Sequence, residues 1–470
     1  MYSWFIAYKY VVSRLITVVA LLAVTFSVAV LIVVVSVMEG FRTGLEQRIR
    51  GSTSDIKIES DIFIGLESPA AIEAKLREIP GVRATAPVVE TFALYSPGGP
   101  TNGRAEAVDH YLVAMDLGND LARLELQAAL DALPDRIETQ RLVNPAERRL
   151  VDELVRSQPR TVDELFSADW LEDRLWEPWK RLDVPRPVKS LKPIVVGIES
   201  FRSELLLPGM VIRLTSFAPD VREPLEEAFL VAGFFKTGLY ETDAKGMILR
   251  LEDAEEFLHL RDAAGTLSVS GIRIAAEEAF QDTESLARLR AEVERRLEEN
   301  GVLFATAQTW REARAPLLAA VKVEKVIVSI ILGAVILFAG FMIFIILTVQ
   351  VVEKSRDIGV LQSLGASARG IAAIYFSIGA GLCAAGMVFG TIYGVSIGLA
   401  INTIQRWVKL LTGLELFPDD VYYLDRIPVK FRADDLAFII LATVAASLIA
   451  SVLPAMRAAR RNPTEGLRHG

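Results

Sequence analysis

The chain has 470 residues, of which 52% are hydrophobic and 23% are charged, and its formal net charge at pH 7 is −8. It has no basic cluster with interleaved aromatic residues, which excludes a nucleic-acid-binding surface of the usual kind. A chain that is rich in both apolar and charged residues usually has them in separate stretches of sequence. This segregation is typical of a membrane protein.

Four windows without a charged residue define the membrane-spanning part of the sequence: residues 15–38, 326–352, 371–404 and 436–453. Each window approaches or exceeds the roughly 20 residues that an α-helix needs to cross a hydrocarbon core about 30 Å thick. The first window is longer than the apolar part of a signal peptide, and no small-residue cleavage site follows it. We therefore interpret it as an uncleaved anchor. The sequence predicts an integral membrane protein with four transmembrane helices.

Positive charges beside these windows predict the topology. Lysine and arginine precede the first window, lie between the second and third, and follow the fourth, so these segments and both chain termini are predicted to be cytoplasmic. Five basic residues lie between the third and fourth windows, on the predicted outer side, and conflict with this assignment. We keep the assignment because four membrane crossings place both termini on the same side. The predicted order is a cytoplasmic N-terminus with the first transmembrane helix (1–40), an extracytoplasmic domain (41–325), the second helix (326–352), a cytoplasmic segment (353–370), the third helix (371–404), an extracytoplasmic loop (405–435), the fourth helix (436–453) and a cytoplasmic tail (454–470).

The extracytoplasmic domain is predicted to have an α+β fold. Strand-like alternation, as in "SDIKIES", and helical spacing, as in "AAIEAKLREIP", occur on both sides of a charged, leucine-rich segment at about 118–190. We interpret that segment as a helical insertion. It carries Trp170, Trp176 and Trp179. Trp176 and Trp179, with Leu175, indicate either a small local core or a contact with a membrane surface or partner. The single cysteine, Cys383, lies in the third window, so the domain must be stabilised by its own core.

The sequence contains no recognisable catalytic or metal-binding motif. Its three histidines are far apart and have no Cys or His at metal-ligand spacing. Residues 98–105, "GGPTNGRA", have the glycine spacing of a phosphate-binding loop, but Arg104 and Ala105 stand where that loop needs lysine and serine or threonine. We interpret them as a turn. Because the windows carry no charge, an ion-driven carrier is disfavoured. We predict a chain that is not an enzyme, binds no cofactor or metal, and receives energy from elsewhere.

The segment between the second and third windows, "VVEKSRDIGVLQSLGASARGI", is short, charged and amphipathic. It is predicted to form one helix with Ile358, Leu361 and Leu364 on a single apolar stripe. Gly365 is suited to the left-handed residue that ends this helix, and Ser367 to the cap of the next one. Such a helix either rests on the lipid surface or inserts its stripe into a groove of a cytoplasmic partner.

Four glycines recur at every fourth residue of the third window: Gly386, Gly390, Gly394 and Gly398. They form three overlapping G-x-x-x-G motifs, which let another helix approach the backbone closely. The approaching helix belongs either to this chain or to a second subunit, and the motif does not separate the two.

Several stretches together resemble a known family. "VMEGFRTGLEQRI" follows the first window, "EKSRDIGVLQSLGAS" follows the second, and "PAMRAARRNPTEGLR" lies near the end of the chain. Two further stretches, "FKTGLYETDAKGMIL" and "VYYLDRIPV", are typical of a narrower group of proteins. The chain resembles the FtsX-like/MacB-type permeases of ABC transporters, and within them the lipoprotein-releasing permeases. The resemblance covers nearly the whole chain except about 118–190.

This resemblance implies a transmembrane permease of the bacterial inner membrane that pairs with a second permease and with cytoplasmic ABC ATPase subunits, which bind ATP and Mg²⁺. It also implies extraction of a lipoprotein substrate, transfer to a periplasmic carrier, and a link between the membrane helices and the extracytoplasmic domain at Glu324 and Lys325. The loop after the strand "MVIRLTS" is shorter than in the carrier-recruiting relatives, which argues against direct carrier binding by this chain. The implied ATPase-coupling helix contains Glu353, Lys354, Arg356, Asp357, Ile358, Leu361, Leu364 and Gly365.

Two other functions fit the same resemblance. A MacB-type efflux permease for amphipathic small molecules or peptides shares the fold. An FtsX-like module would instead use ATP for mechanotransmission to a cell-wall hydrolase and transport nothing. Lipoprotein release is the function that the narrower matches favour.

Overall fold

The structure is a computed structural model, and it describes residues 15–52, 54–60, 65–97, 108–134, 149, 152–154, 156, 158–176, 179, 191–204, 206–217, 224–302, 304–413 and 426–460. The chain divides into two compact units. The helical unit contains the residues up to Leu45 and from Pro316 onward, and the α+β unit contains residues 46–315. The glycine-rich residues 98–105 lie outside the described part of the chain.

The described helices and strands are numbered in chain order. The helices are α1 (Leu15–Ser52), α2 (Pro69–Leu76), α3 (Asp120–Asp131), α4 (Val162–Leu165), α5 (Ala168–Glu172), α6 (Ile198–Glu204), α7 (Tyr240–Lys245), α8 (Leu251–Phe257), α9 (Thr283–Glu299), α10 (Trp310–Ala313), α11 (Ala315–Glu353), α12 (Ser355–Ser363), α13 (Ala368–Thr412) and α14 (Ala433–Ala459). The strands are β1 (Ile56–Ser60), β2 (Leu66–Glu67), β3 (Val82–Pro97), β4 (Val108–Met115), β5 (Lys192–Gly197), β6 (Val211–Ser216), β7 (Leu225–Phe235), β8 (Gly246–Arg250), β9 (Ser268–Val269), β10 (Gly271–Ala276) and β11 (Ala305–Thr309).

Four helices, α1, α11, α13 and α14, are long and apolar enough to cross a membrane, with mean hydropathies of 3.1, 3.1, 1.9 and 2.6 over their most apolar windows. The α+β unit lies between the first and second of them in the sequence, which confirms the predicted fold class. Each of the four helices extends beyond its uncharged window at one or both ends. The longest, α13, has 45 residues and continues unbroken to a left-handed Gly413.

All four long helices and the short α12 contribute to one apolar core in the helical unit. The fully buried side chains include Val28 of α1, Leu347 of α11, Ile358 of α12, Ile378 of α13 and Ile439 of α14. In a lipid environment such a core is stabilised by close van der Waals contact rather than by the exclusion of water. The core therefore holds α12 as an integral part of the helical unit.

The α+β unit is organised around the long strand β3. The sheet order is β11-β1-β10-β3-β4-β8-β5-β7-β6, and β6 pairs back onto β3. The first part of β3 pairs with β10, and its second part pairs with β4 on one side and β6 on the other. Six strands thus close into a ring, and closure removes their exposed edges. Among the described side chains of this unit that are less than 2% exposed, the largest are Phe201, Phe229, Phe234 and Phe235.

The strand β1 carries the chain into the α+β unit directly after α1. It pairs antiparallel with β10 and with β11, and the β11 register places Ile56 opposite Thr309. The Trp310 N–H also donates to the Asp55 carbonyl at 3.1 Å. Residues a few positions after α1 and a few positions before α11 are therefore hydrogen-bonded to one another.

The described residues of the predicted insertion are helical where they form regular structure, and they cover part of β7. Trp170 is buried, and its indole N–H donates to the Ala232 carbonyl at 3.2 Å. The Gln158 side chain donates to the Phe234 carbonyl at 2.6 Å and accepts from its N–H at 3.0 Å. Trp176 is buried in the same cluster. These two tryptophans thus form the local core, which was one of the two interpretations of the sequence.

Candidate functional site

The short helix α12 is bounded by the signals that its sequence contains. Lys354 precedes it and donates to the Asp357 carboxylate at 2.7 Å. Gly365 ends it with φ +94°, a left-handed conformation that glycine adopts without steric cost. The Ser367 hydroxyl then accepts from the Gly370 N–H at 3.2 Å and caps α13. The helix is one residue shorter at its C-terminal end than predicted, and Glu353 belongs to α11.

The burial of α12 corrects the predicted apolar stripe. Ile358 is only 2% exposed because it belongs to the core of the helical unit, and Leu361 is half-buried. Leu364 is 79% exposed and Val360, which the sequence analysis missed, is 42% exposed. Ile358 therefore anchors the helix, and it is not available to a partner. Val360 and Leu364 are exposed because α12 packs one side against the helical core. Residues 356, 360 and 364 are spaced four apart and therefore lie together on the opposite, exposed side.

We define the α12 face as Glu353, Arg356, Val360 and Leu364, all of which are exposed. Its two apolar side chains lie toward the C-terminal end of α12, and its carboxylate and guanidinium lie toward the N-terminal end. Exposed apolar side chains rimmed by charges are typical of a surface that binds another protein. Arg369 at the start of α13 is also exposed. The α12 face is the arrangement in the helical unit that can insert into a groove of a partner.

The glycine stripe of α13 contacts helix α1 of the same chain. A Cβ atom added to Gly386 would lie 2.7 Å from a Val24 methyl carbon, and one added to Gly390 would lie 2.9 Å from the Thr25 carbonyl oxygen. One added to Gly394 would lie 3.1 Å from the Cα of Ala29.

The fourth glycine has a different neighbour. A Cβ atom on Gly398 would lie 2.7 Å from the ring of Phe431, in the segment before α14. Real Cβ atoms essentially never approach other atoms so closely, so the stripe is filled by this chain itself. This decides the alternative that the motif left open, in favour of packing within the chain.

Sequence analysis also missed a buried carboxylate, Glu39, at the end of the first apolar window. Arg42 donates two hydrogen bonds to it, at 2.6 and 3.1 Å, and Arg432 donates one at 3.3 Å. Lys325 lies 3.6 Å away and forms an ion pair with it. The structure thus places Lys325 on Glu39 of α1, whereas Glu324 is exposed and forms no ion pair with any residue that the structure describes. The only sequence signal was an acidic residue directly after an uncharged window.

A second buried charge cluster lies in the α+β unit, on a wall of a cleft of about 580 Å³. The Glu90 carboxylate accepts hydrogen bonds from Lys57, Tyr111 and Arg273, the last at 2.9 Å, and Arg273 also binds Glu125 at 2.5 Å. Burial alone raises the pKa of Glu90, but Arg273 and Lys57 outweigh it and hold that pKa below its usual value. The cluster ties β1, β3, β4, β10 and α3 together.

The Glu90→Gln variant is expected to lose about 3 kcal/mol of unfolding free energy at pH 7, since two buried cations lose their shared carboxylate. Because the folded-state pKa of Glu90 is lowered, its stabilisation is present above the unfolded pKa of about 4.3 and is lost as pH falls through the folded value. The difference from wild type should therefore shrink below about pH 4. Urea unfolding of the full chain in detergent, followed by tryptophan fluorescence, measures it.

Glu59→Gln is the matched control, because Glu59 also pairs with Lys57, at 2.5 Å, but is half exposed. Its loss should stay below about 1 kcal/mol. Equal losses in the two variants, or a loss in Glu90→Gln that does not change with pH, would contradict the assignment.

Among the described residues, no three His, Cys, Asp or Glu side chains are grouped so that they could hold a metal ion. The notable polar groups are ion pairs that hold elements together, and the α12 face is the arrangement suited to recognition.

Two protein families match parts of the chain. The FtsX-like permease C-terminal family matches residues 329–463, and the MacB-like periplasmic core domain family matches residues 17–133. The two matches confirm the resemblance to FtsX-like/MacB-type permeases on which the sequence analysis relied.

Lipoprotein-releasing system transmembrane proteins of three bacteria are similar to the chain. LolC of Xylella fastidiosa (strain Temecula1) is 27% identical over 260 residues, which cover 55% of this chain and 60% of the relative. LolC of Neisseria meningitidis serogroup B is 28% identical over 246 residues, covering 52% and 56%. LolE of Haemophilus influenzae is 28% identical over 160 residues, covering 34% and 38%. The chain thus spans no more than 60% of the length of these curated relatives.

Proposed function

We propose that this chain, which joins a MacB-like periplasmic core domain to an FtsX-like permease C-terminal region, is the permease subunit of an ATP-driven transporter that extracts lipoproteins from the bacterial inner membrane. The observation that carries the proposal is its similarity to lipoprotein-releasing proteins over about half of the chain, 55% and 52% of it for the two LolC relatives. In this proposal α12 and both termini face the cytoplasm, and the α+β unit faces the periplasm.

The physical demand of lipoprotein extraction supports an ATP-driven machine. Removing an acyl chain from the bilayer costs ~0.8 kcal/mol per CH₂, so a lipoprotein anchor with several chains costs tens of kcal/mol. The uncharged windows of the four long helices offer no buried acid or base for coupling to an ion gradient. The energy is then supplied by ATPase subunits, which bind ATP and Mg²⁺ and contact this chain.

The α12 face is the proposed contact with an ATPase subunit. Val360 and Leu364 insert into a groove of that subunit, while Ile358 holds α12 in the core of the helical unit. Because α12 joins α11 to α13 through the single residue Lys354 on one side and a short turn on the other, a displacement of α12 reaches both long helices. A second permease subunit, of the same or a related sequence, completes the transporter.

The experiment is purification from the native membrane in mild detergent, identification of the co-purifying subunits, and reconstitution of the complex into liposomes with a triacylated lipoprotein. Release of the lipoprotein should require ATP, and the lipoprotein should raise the ATPase rate severalfold. The matched control is the same protein with its acylated cysteine replaced by serine. ATP-dependent movement of an amphipathic small molecule without lipoprotein release, or stimulation by a cell-wall hydrolase alone, would overturn the proposal.

A further inference from the structure

Glu39 is a buried carboxylate that gathers cations from three different parts of the helical unit. Arg42 lies one turn further along α1, Lys325 lies on α11, and Arg432 directly precedes α14. The Glu39 side chain is only 2% exposed. A carboxylate removed from water needs compensation by charges and hydrogen bonds, and here the compensation ties helix ends together.

The three cations are held unequally. Arg42 hydrogen-bonds both carboxylate oxygens of Glu39, while Arg432 donates one hydrogen bond to it and two more to Asp434, at 3.0 and 2.5 Å. Lys325 is at 3.6 Å, beyond hydrogen-bond distance, and its side chain is 48% exposed. If Lys325 leaves, Glu39 keeps both of its hydrogen-bonded guanidinium groups.

The segment that carries Arg432 is fixed to the rest of the unit independently of Glu39. The Lys430 N–H donates to the Ser36 carbonyl of α1 at 2.9 Å. The Asn402 side chain of α13 binds both the N–H and the carbonyl of Ile427, at 2.9 and 3.1 Å. These backbone hydrogen bonds keep the segment in place whatever happens at the ion pair.

The part of α11 around Lys325 is held differently, because its neighbours are largely exposed. More than half of the surface of five apolar side chains is exposed there: Val323, Val326, Ile327, Ile330 and Ile331. The first buried side chain of α11 is Leu332, and before it the partly buried Val328 packs against the core of the helical unit. Among the described residues, the ion pair from Lys325 to Glu39 is the polar side-chain contact between this stretch of α11 and α1.

We propose that Glu39 is a positioning residue that holds α11 against α1 in the resting transporter, and that its ion pair with Lys325 opens during the ATP cycle while those with Arg42 and Arg432 persist. The opening lets the exposed stretch of α11 move away from α1, and α1 stays joined to the segment before α14. This inference rests on the proposed function for the ATP cycle, but the contact itself does not depend on the cargo.

The test is a distance measurement on the full chain within its native complex. Spin labels are placed on cysteines at Gly44 of α1, where an added side chain meets open space, and at the exposed Val323 of α11, with Cys383→Ser removing the native cysteine. The wild-type distance should lengthen in at least one nucleotide-bound state. Without nucleotide, Lys325→Glu should shift the distance distribution to longer values and broaden it. Lys325→Arg, which keeps the positive charge, should have the wild-type distribution.

Lys322→Glu is the matched control, because Lys322 is exposed, lies one turn earlier on α11 and forms no ion pair with a described residue. It should leave the distances unchanged. If Lys325→Glu is not recovered, Lys325→Gln takes its place, with a smaller shift in the same direction. The inference is overturned if Lys325→Glu and Lys325→Gln both keep the wild-type distance distribution, or if the wild-type distance is the same in every nucleotide state.

A second readout separates this inference from the proposed function. Lys325→Glu should reduce lipoprotein release severalfold while the ATPase rate without lipoprotein stays near that of wild type. If wild type releases no lipoprotein but the distances behave as expected, the proposed cargo is wrong and the role of Glu39 stands. If wild type releases lipoprotein and the distances do not move, the role of Glu39 is wrong and the proposed function stands.

Discussion

Replacing Leu364 by aspartate is expected to abolish binding of the ATPase subunit while the permease remains folded in the membrane. The Leu364 side chain is 79% exposed, so its replacement removes no core contact. In a partner's groove the burial of a leucine is worth about 1.5–3 kcal/mol, and a carboxylate in its place adds a cost of desolvation. Together these effects weaken binding by roughly 100-fold or more. Co-purification of the ATPase with a tagged permease, and the ATPase rate of the recovered complex, measure the change.

Leu410→Asp is the control for this variant. Leu410 has the same exposure, 79%, and lies near the opposite end of α13 from α12, so it tests the same chemical change away from the α12 face. It should bind the ATPase like wild type. Ile358→Asp differs from both, because it places a carboxylate in the core and should lower the yield of folded protein. Normal ATPase binding by Leu364→Asp would rule out the α12 face as the contact.

Replacing Gly390 by leucine is expected to disrupt the packing of α13 against α1. Even the first added carbon would lie 2.7 Å from the Cβ of Val28 and 2.9 Å from the Thr25 carbonyl oxygen. A flexible side chain can turn away, but a backbone carbonyl on a facing helix moves only with its helix. The cost should therefore exceed the 1–3 kcal/mol typical of overpacking. The thermal midpoint of the purified protein should fall by roughly 5 °C or more, and the monodisperse fraction should fall with it.

Gly381→Leu supplies the comparison for Gly390→Leu. Gly381 lies on the same helix, and a Cβ atom added there meets no atom within 4 Å. This variant should keep the wild-type midpoint or raise it slightly, since glycine is the weaker helix former. If the two variants behave alike, the glycine stripe does not make the close contact described here.

The parts of the structure that depend on local sequence were predictable. Hydropathy located the four long helices because a lipid-spanning helix must be apolar over its whole length. Gly365 and Ser367 marked the end of α12 and the start of α13, because a left-handed turn and a hydroxyl cap are properties of single residues. The α+β character of the domain followed from its alternating patterns.

The parts that depend on distant residues were not predictable. Ile358 and Leu364 looked equivalent on one helical stripe, and only the position of α12 against the bundle separates them. Glu39 looked like an ordinary charge at a membrane boundary, because its partners Lys325 and Arg432 lie hundreds of residues away. The glycine stripe predicted a close helix contact, but a sequence motif contains no information about which helix fills it.

The closure of β3 into a ring was also beyond the sequence. β3 pairs with its neighbour in sequence, β4, but also with β10 and β6, which lie more than 100 residues further along the chain. The two buried tryptophans of the insertion agree with the local-core interpretation, but their contact with β7, where Trp170 binds Ala232 62 residues away, was not predictable.

The pairing of β1 with β11 has a mechanical consequence. Ile56 is the first residue of β1 and Thr309 is the last residue of β11, and they lie opposite each other. A force that pulls α1 and α11 apart therefore loads the end of this ladder and opens its hydrogen bonds one after another, like a zipper. A force that moves both helices together loads the two strands as one body. If α11 parts from α1 at Lys325 as inferred above, the separating force acts first on the Ile56–Thr309 end of this ladder.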